Sequence, residues 1–353
     1  MKFAREIQLL KTLAGTDDHR LGRQFLARKI DLPSLASFLY EEQLDIYFLA
    51  LMEDQRLLKL LPRTMREQLL WLRGDQQKRN RSLLETLSRL QSILAQAGVQ
   101  TLQLKGLPLA QRYWGGVERR FCWDLDLLVR TRDRSRAIDT LENAGYTTTS
   151  PSLIPRKLVY RLSHAVEISK GDLPVDLHWS FRQRPGFAID YDAVWARRER
   201  WHDGELDCDI PSAQDSLLIM LLGIAQDAER GHCRYRKLWD IYLWLQLERD
   251  FDWESFCRRC GDEGVEVLCL NMLALTLLAL DCEEEFPGLR SLLDSRKNMV
   301  SCSAADVSRV LGRSRQHLAN RLWFARLQQV PAWRYVGWWT LTAPMRYLLG
   351  RSL

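Results

Sequence analysis

Apolar positions recur three or four apart through the first hundred residues. Leu35, Phe38 and Leu39, then Leu44, Tyr47, Phe48 and Leu51 follow this spacing, which predicts helices that each bury one face. Asp31 and Ser34 are candidate helix starts, and Pro33 suits a first turn. A long helix is predicted over Thr64 to Ala97, broken near Gly74, with Leu83, Leu84, Leu87, Leu90, Ile93 and Leu94 as its buried stripe. Gly98 supplies the left-handed residue that often ends a helix. The pattern then shifts. Val99 to Leu104 reads as a strand, Lys105-Gly106 as a tight turn, Leu107 to Trp114 as a short helix and Gly115-Gly116 as a loop. A strand over about Phe121 to Val129 follows. Asp133 caps a helix to Asn143 that Gly145 stops, and a strand near Tyr146 to Thr149 leads into a proline-containing loop. Ala165 to Ile168 and Pro174 to Trp179 form a hairpin about Lys170-Gly171-Asp172. Helices return after Asp192. One begins at Pro211-Ser212-Ala213-Gln214-Asp215, one covers Arg236 to Leu247, and one holds the apolar run Val265 to Leu280. The fold class is α+β: a small mixed β-sheet core at 98–190 lies between helical regions at 1–97 and 191–300, with a tail at 301–353. There is no internal repeat.

Composition refines this picture in three places. With 353 residues, 46% hydrophobic and 27% charged, the chain is long enough for two or three domains. The start Met1-Lys2-Phe3-Ala4-Arg5-Glu6 is charged, not the apolar core of a leader, and no stretch approaches a membrane span; a cytoplasmic protein is expected. The eight scattered cysteines then read as reduced thiols. Cys257-Arg258-Arg259-Cys260 has C-x-x-C spacing but sits in a helical pattern without a second pair, which favours buried helix positions over a zinc site. The net charge of +6 is concentrated at one end, because residues 301–353 hold eight arginines and one aspartate. Trp323, Trp333, Trp338 and Trp339 accompany these arginines. A peripheral membrane or protein contact is one reading of this tail. A helix packing its tryptophans inward is the other, favoured because Pro331 and Pro344 interrupt any long amphipathic helix. Nucleic acid is not the expected partner.

The chemistry concentrates in Trp123-Asp124-Leu125-Asp126-Leu127-Leu128-Val129. Alternation puts Asp124 and Asp126 on one face of an otherwise apolar strand. Two adjacent half-buried anions repel and lose hydration, and a hard cation such as magnesium compensates both. Val175-Asp176-Leu177-His178-Trp179 repeats the signature. If its strand lies beside the first, Asp124, Asp126 and Asp176 converge, and three carboxylates can hold two Mg2+ ions about 3.5–4 Å apart for phosphoryl displacement. Asp176 is also a candidate general base. Lys105 and Gly106, at a strand-to-helix turn, are candidate phosphate contacts, as are Arg119 and Arg120. His178 shares the face of Asp176 and is a candidate nucleotide contact; His164 reads as structural. Lys237 and Asp240 are candidates to approach from the helical region.

The order strand, K-G turn, short helix, arginine, D-L-D-L-L-V, helix, G-Y and V-D-L-H-W resembles an uncharacterised nucleotidyltransferase family found in bacterial polysaccharide gene clusters, within the polymerase-beta-like nucleotidyltransferase superfamily. The likeness spans roughly residues 30–280 and includes Asn80 and Arg236-Lys237-Leu238-Trp239-Asp240. It implies a nucleotidyltransferase core, Asp124 and Asp126 as the metal pair, Asp176 as the third carboxylate, and Gly106 as the glycine against the nucleotide phosphates. It also implies a transferase that moves NMP from an NTP such as ATP to a sugar, sugar phosphate or protein acceptor, with a place in polysaccharide biosynthesis. Two positions depart from the pattern. Leu107 follows the turn glycine where a small hydroxyl residue or glycine is usual, and Gln226-Asp227 stand near where a histidine is often found. An inactive scaffold that keeps the fold, or a D-x-D glycosyltransferase, are the alternatives.

Overall fold

A computed structural model describes residues 3–15, 31–148, 163–171, 173–181, 187–203, 206–312 and 317–331, with 333, 337 and 340. The proline-containing loop after Thr148, and Thr149, Asp172, Trp338, Trp339 and Pro344, lie outside the described residues.

Five strands make the mixed sheet: β1 (Leu102–Gln103), β2 (Leu125–Leu128), β3 (Thr147–Thr148), β4 (Ala165–Ser169) and β5 (Pro174–His178), in the order β1-β2-β5-β4-β3. The pair β2 and β5 is parallel, with Asp126 opposite Asp176, and the other pairs are antiparallel. One face is apolar. Leu125, Leu127, Val166, Ile168, Val175 and Leu177 pack there against Leu83, Leu87, Leu90 and Leu94 of the helix Arg63–Gln96 and against Ala137, Ile138 and Leu141 of the helix Arg134–Asn143. The same alternation turns Asp126, Asp176 and His178 to the opposite face.

The long helix runs unbroken through Gly74, where the expected break does not occur. A lone glycine costs about 1 kcal/mol in a helix interior, which a helix of 34 residues packed along four leucines absorbs. Its start-side neighbour Leu32–Glu42 is capped as expected, with Asp31 accepting from the Ser34 N–H at 3.0 Å. The expected strand at Phe121 shortens to Leu125–Leu128, for a visible reason. The carbonyls of Phe121, Cys122 and Trp123 accept from side chains: Arg236 Nη1 (3.0 Å), Gln76 Nε2 (2.9 Å) and Arg79 Nη2 (2.8 Å). Side chains thus take the place of a neighbouring strand. The expected strand Val99–Leu104 likewise contracts to β1.

A hairpin went unpredicted after Asp192. Strands β6 (Glu199–Asp203) and β7 (Leu206–Ile210) pair antiparallel. Leu206, Cys208 and Ile210 are buried in the sheet core, and Asp207 and Asp209 pair with Arg200 and Arg198. The helices Ala213–Arg230, Tyr235–Leu247, Trp253–Asp262 and Glu266–Leu280 build a second, larger core. The N-terminal helices join it: Phe38, Phe48 and Leu69 lie in the same cluster as Leu238, Trp244 and Leu273. Cys257 and Cys260 are buried free thiols in this core. The start of the basic tail packs there too. Trp323 and Phe324 of the helix His317–Leu327 are buried, and the Trp323 indole donates to Asp306, whereas Trp333 is exposed. Among the described residues, no helix is long and apolar enough to cross a membrane.

Candidate active site

Asp126 is the centre of the polar face. It is almost wholly buried (1% exposed), and its Oδ1 faces two cations or donors: Lys105 Nζ at 3.1 Å and His178 Nε2 at 3.0 Å. Burial pushes this carboxyl up, but Lys105 and His178 outweigh it and hold Asp126 below the ordinary carboxylate range. Its other oxygen, Oδ2, is buried and has no hydrogen-bond partner, as is His178 Nδ1. A buried carboxylate oxygen without a partner is expensive. Asp126, Asp176 and His178 each offer a ligand atom within 4.8 Å of the others. Two carboxylates and an imidazole with an unsatisfied, buried oxygen between them fit a divalent cation.

Asp176 is half-buried. Burial, and then the charge of Asp126, push its carboxyl up to about 6. Asp124 sits one residue before β2 and lines the same cleft. Burial and Asp126 push it upward too, against Lys105 and Arg236. Asp124 is not part of the compact three-residue cluster, where His178 takes the place that the sequence pattern gave it. The acidic row continues outward, because Glu167 on β4 is the register partner of Asp176. Glu167, a single acid between Val166 and Ile168, carries the same sequence signature as Asp176.

The cleft that Asp124 and Asp126 line has a volume of about 690 Å3. Sheet residues Lys105, Asp124, Asp126 and His178 line one wall, and Met220, Gln226, Arg234, Arg236 and Lys237 of the helical half line the other. Gly106 forms its corner. Its φ of +79° is one that residues with a Cβ avoid, and a Cβ there would also meet the Asp124 carbonyl at 3.6 Å. Leu107, after it, is fully buried in the sheet core. His164 also lines the cleft, with its ring centroid 5.8 Å from that of His178.

The arginines expected at the phosphates are placed otherwise. Arg119 forks onto Asp54 at 2.6 and 3.1 Å and is not among the cleft-lining residues. Arg120 lines the cleft but is buried and forks onto Asp240 at 2.7 and 2.8 Å. The indole of Trp114 donates to the same carboxylate at 2.9 Å. Both guanidiniums are therefore committed to protein carboxylates, Arg119 to Asp54 and Arg120 to Asp240, and Asp240 itself lines the cleft. Lys237 lies at the rim, paired with Asp227 at 2.7 Å. Two cleft arginines, Arg234 and Arg236, have no carboxylate partner among the described residues; neither was among the candidates the sequence suggested. The signal for Arg236 was present only as one basic residue among several at a helix start. Asn80, part of the family likeness, is buried on the long helix. It donates to the Val117 carbonyl and accepts from Gln76, so it holds the loop that leads to Asp124.

A cleft between a small mixed sheet and a helical half, with paired aspartates in register on parallel strands, is the form of a nucleotidyltransferase core. A model of the family described as uncharacterised nucleotidyltransferases matches residues 28–281, well over half of the chain. The chain belongs to that family. No curated protein matches it.

Proposed function

We propose that this protein is a metal-dependent nucleotidyltransferase that moves NMP from an NTP to an acceptor hydroxyl or phosphate. The observation that carries the reading is the register of Asp126 against Asp176, with His178 beside them, where Asp126 and His178 line the cleft. Asp126 Oδ2 and Asp176 would hold the cation, His178 and Lys105 would fix the orientation of Asp126 through Oδ1, and Asp124 is the ligand proposed for a second ion. Mg2+ bound there supplies charge neutralisation of the triphosphate and a more acidic attacking hydroxyl. Lys105, partly exposed beside Asp126, adds positive charge toward the phosphates, and Gly106 lets them approach the backbone. The acceptor oxygen attacks the α-phosphorus, its proton passes to an Asp176 carboxylate oxygen, and pyrophosphate departs with the electrons of the broken P–O bond. Positioning and charge neutralisation supply most of such a rate enhancement.

The acceptor class we favour is a sugar or sugar phosphate in polysaccharide biosynthesis, with a protein side chain as the other candidate and ATP as the first nucleotide to try. Incubation of the protein with Mg2+ and each α-labelled NTP tests the reading. Label transfer with pyrophosphate release is expected from the wild type and a loss of at least about 100-fold from Asp126→Asn. Nucleotide binding without transfer in both would favour the inactive scaffold, which the buried Leu107 at the phosphate turn motivates. Transfer from a sugar nucleotide without pyrophosphate would favour the glycosyltransferase.

A further inference from the structure

Arg236 stands at the first turn of the helix Tyr235–Leu247 and lines the same cleft as Asp124 and Asp126. Its Nε donates to Gln43 Oε1 at 3.1 Å and its Nη1 to the Phe121 carbonyl at 3.0 Å. Both acceptors are neutral. Among the described residues no carboxylate lies within ion-pair distance of it, unlike Arg112, Arg119, Arg120, Arg197 and Arg259, which all hold one. Its Nη2 makes no hydrogen bond and is not enclosed. Burial, and then the neighbouring Arg120, weaken its hold on the proton, to about 10. The chain has therefore set a charged fork into a cleft and anchored two of its edges on neutral oxygens, with Asp240 and Asp124 acting on it through space but no carboxylate at ion-pair distance among the described residues. Arg234, two residues earlier, lines the same wall, is exposed, and has no carboxylate partner among the described residues. A guanidinium without an ion-pair partner in the same cleft as the acids is the arrangement that receives an anion able to bridge them through a cation, and a polyphosphate has that shape.

We infer that Arg236, assisted by Arg234, is the phosphate-binding group of this cleft, so that the substrate's polyphosphate spans from the aspartates of the sheet to the helical half. The inference rests on the nucleotidyltransferase reading and gives the phosphate role to Arg236, in place of Arg119 and Arg120. Because Arg236 also holds the Phe121 carbonyl, phosphate binding and the position of the Asp124 segment are mechanically joined.

The test is calorimetric binding of Mg-NTP, of inorganic tripolyphosphate and of the free nucleoside to the full chain. Arg236→Gln is expected to weaken NTP and tripolyphosphate on the order of 10- to 100-fold and to leave the nucleoside unchanged. Arg236→Lys, which keeps a point charge without the fork, should fall between, and Arg63→Gln, an exposed arginine far from the cleft, should match the wild type. A measurement on the unaltered protein guards against a folding defect. Tripolyphosphate should protect Arg236, and not Arg63, from an arginine-selective dicarbonyl, read peptide by peptide in a mass spectrometer. Unchanged tripolyphosphate affinity in Arg236→Gln, or equal labelling of Arg236 with and without tripolyphosphate, overturns the inference. The nucleotidyltransferase reading survives that result if Asp126→Asn still loses cation-dependent NTP binding. A wild type that binds neither NTP nor tripolyphosphate overturns both.

Discussion

Single charged residues in this protein divide into those that are matched and those that are not. Asp45 is a buried acid outside the cleft. It accepts from the Ile46 N–H at 2.6 Å, and burial, set against that bond, pushes its carboxyl up to about 6. The folded chain therefore binds this proton more tightly than the unfolded chain. Below pH 4 both states are protonated and no penalty exists. Between pH 4 and 6 the unfolded chain ionises first, so stability falls as pH rises, and above pH 6 the penalty is constant. Asp45→Asn keeps the acceptor and removes the charge, so it should unfold at higher urea at pH 8, by up to about 3 kcal/mol, with little gain at pH 4. An identical pH dependence in both proteins would refute this. The residue scale is also where the sequence was most and least informative. That Asp126, Asp176 and His178 share one face was legible, because a polar side chain between apolar strand neighbours carries its own warning. Arg119, Arg120 and Arg236 were not separable, because nothing in a string of letters says which guanidinium will meet Asp54, which Asp240, and which none.

At the scale of elements, the site is held by side chains that bind one element to another. Arg120, from the segment before β2, and Asp240, from the helix Tyr235–Leu247, form a buried fork that ties the sheet to the helical half. Removing only Arg120 leaves Asp240 charged and enclosed, so Arg120→Leu should lose about 3–5 kcal/mol in urea unfolding. Removing both partners, as Arg120→Leu with Asp240→Leu, should recover most of that loss, since the desolvation cost of the pair disappears with its attraction. If the single variant is as stable as the wild type, the fork does not join the two halves. Elements with strong local signals were legible: the long helix, the β4–β5 hairpin with its turn glycine, and the helix capped by Asp31. The β6–β7 hairpin was missed because its inward residues, Leu206, Cys208 and Ile210, alternate over only five positions beside charged flanks. The shortening of the Asp124 strand was not legible at all, since it depends on Gln76, Arg79 and Arg236 arriving from distant helices to take its carbonyls.

At the scale of the whole molecule, the chain wraps its first helices around to complete the core of its last ones, and the long helix Arg63–Gln96 leaves that core to cover the sheet. The α+β class and the order of helical and sheet regions were readable from the change in hydrophobic period. This mutual packing was not, because periodicity says that a face is buried and not against what. The consequence for function is that one wall of the cleft is sheet and the other is helix, so the acids and Arg236 meet only in the folded whole. On the proposed function, Asp126 and Asp176 hold a cation beside that cleft, with His178 orienting Asp126. The most direct test of this central claim is the fall in the free Mn2+ electron paramagnetic resonance signal as protein is added in the presence of an NTP, with Mn2+ as the probe for Mg2+. The account predicts saturable loss of the free signal with the wild type and a weakening of roughly 10-fold or more with Asp126→Asn, which keeps the side-chain volume and removes the charge. Equal Mn2+ binding by the two proteins would contradict it.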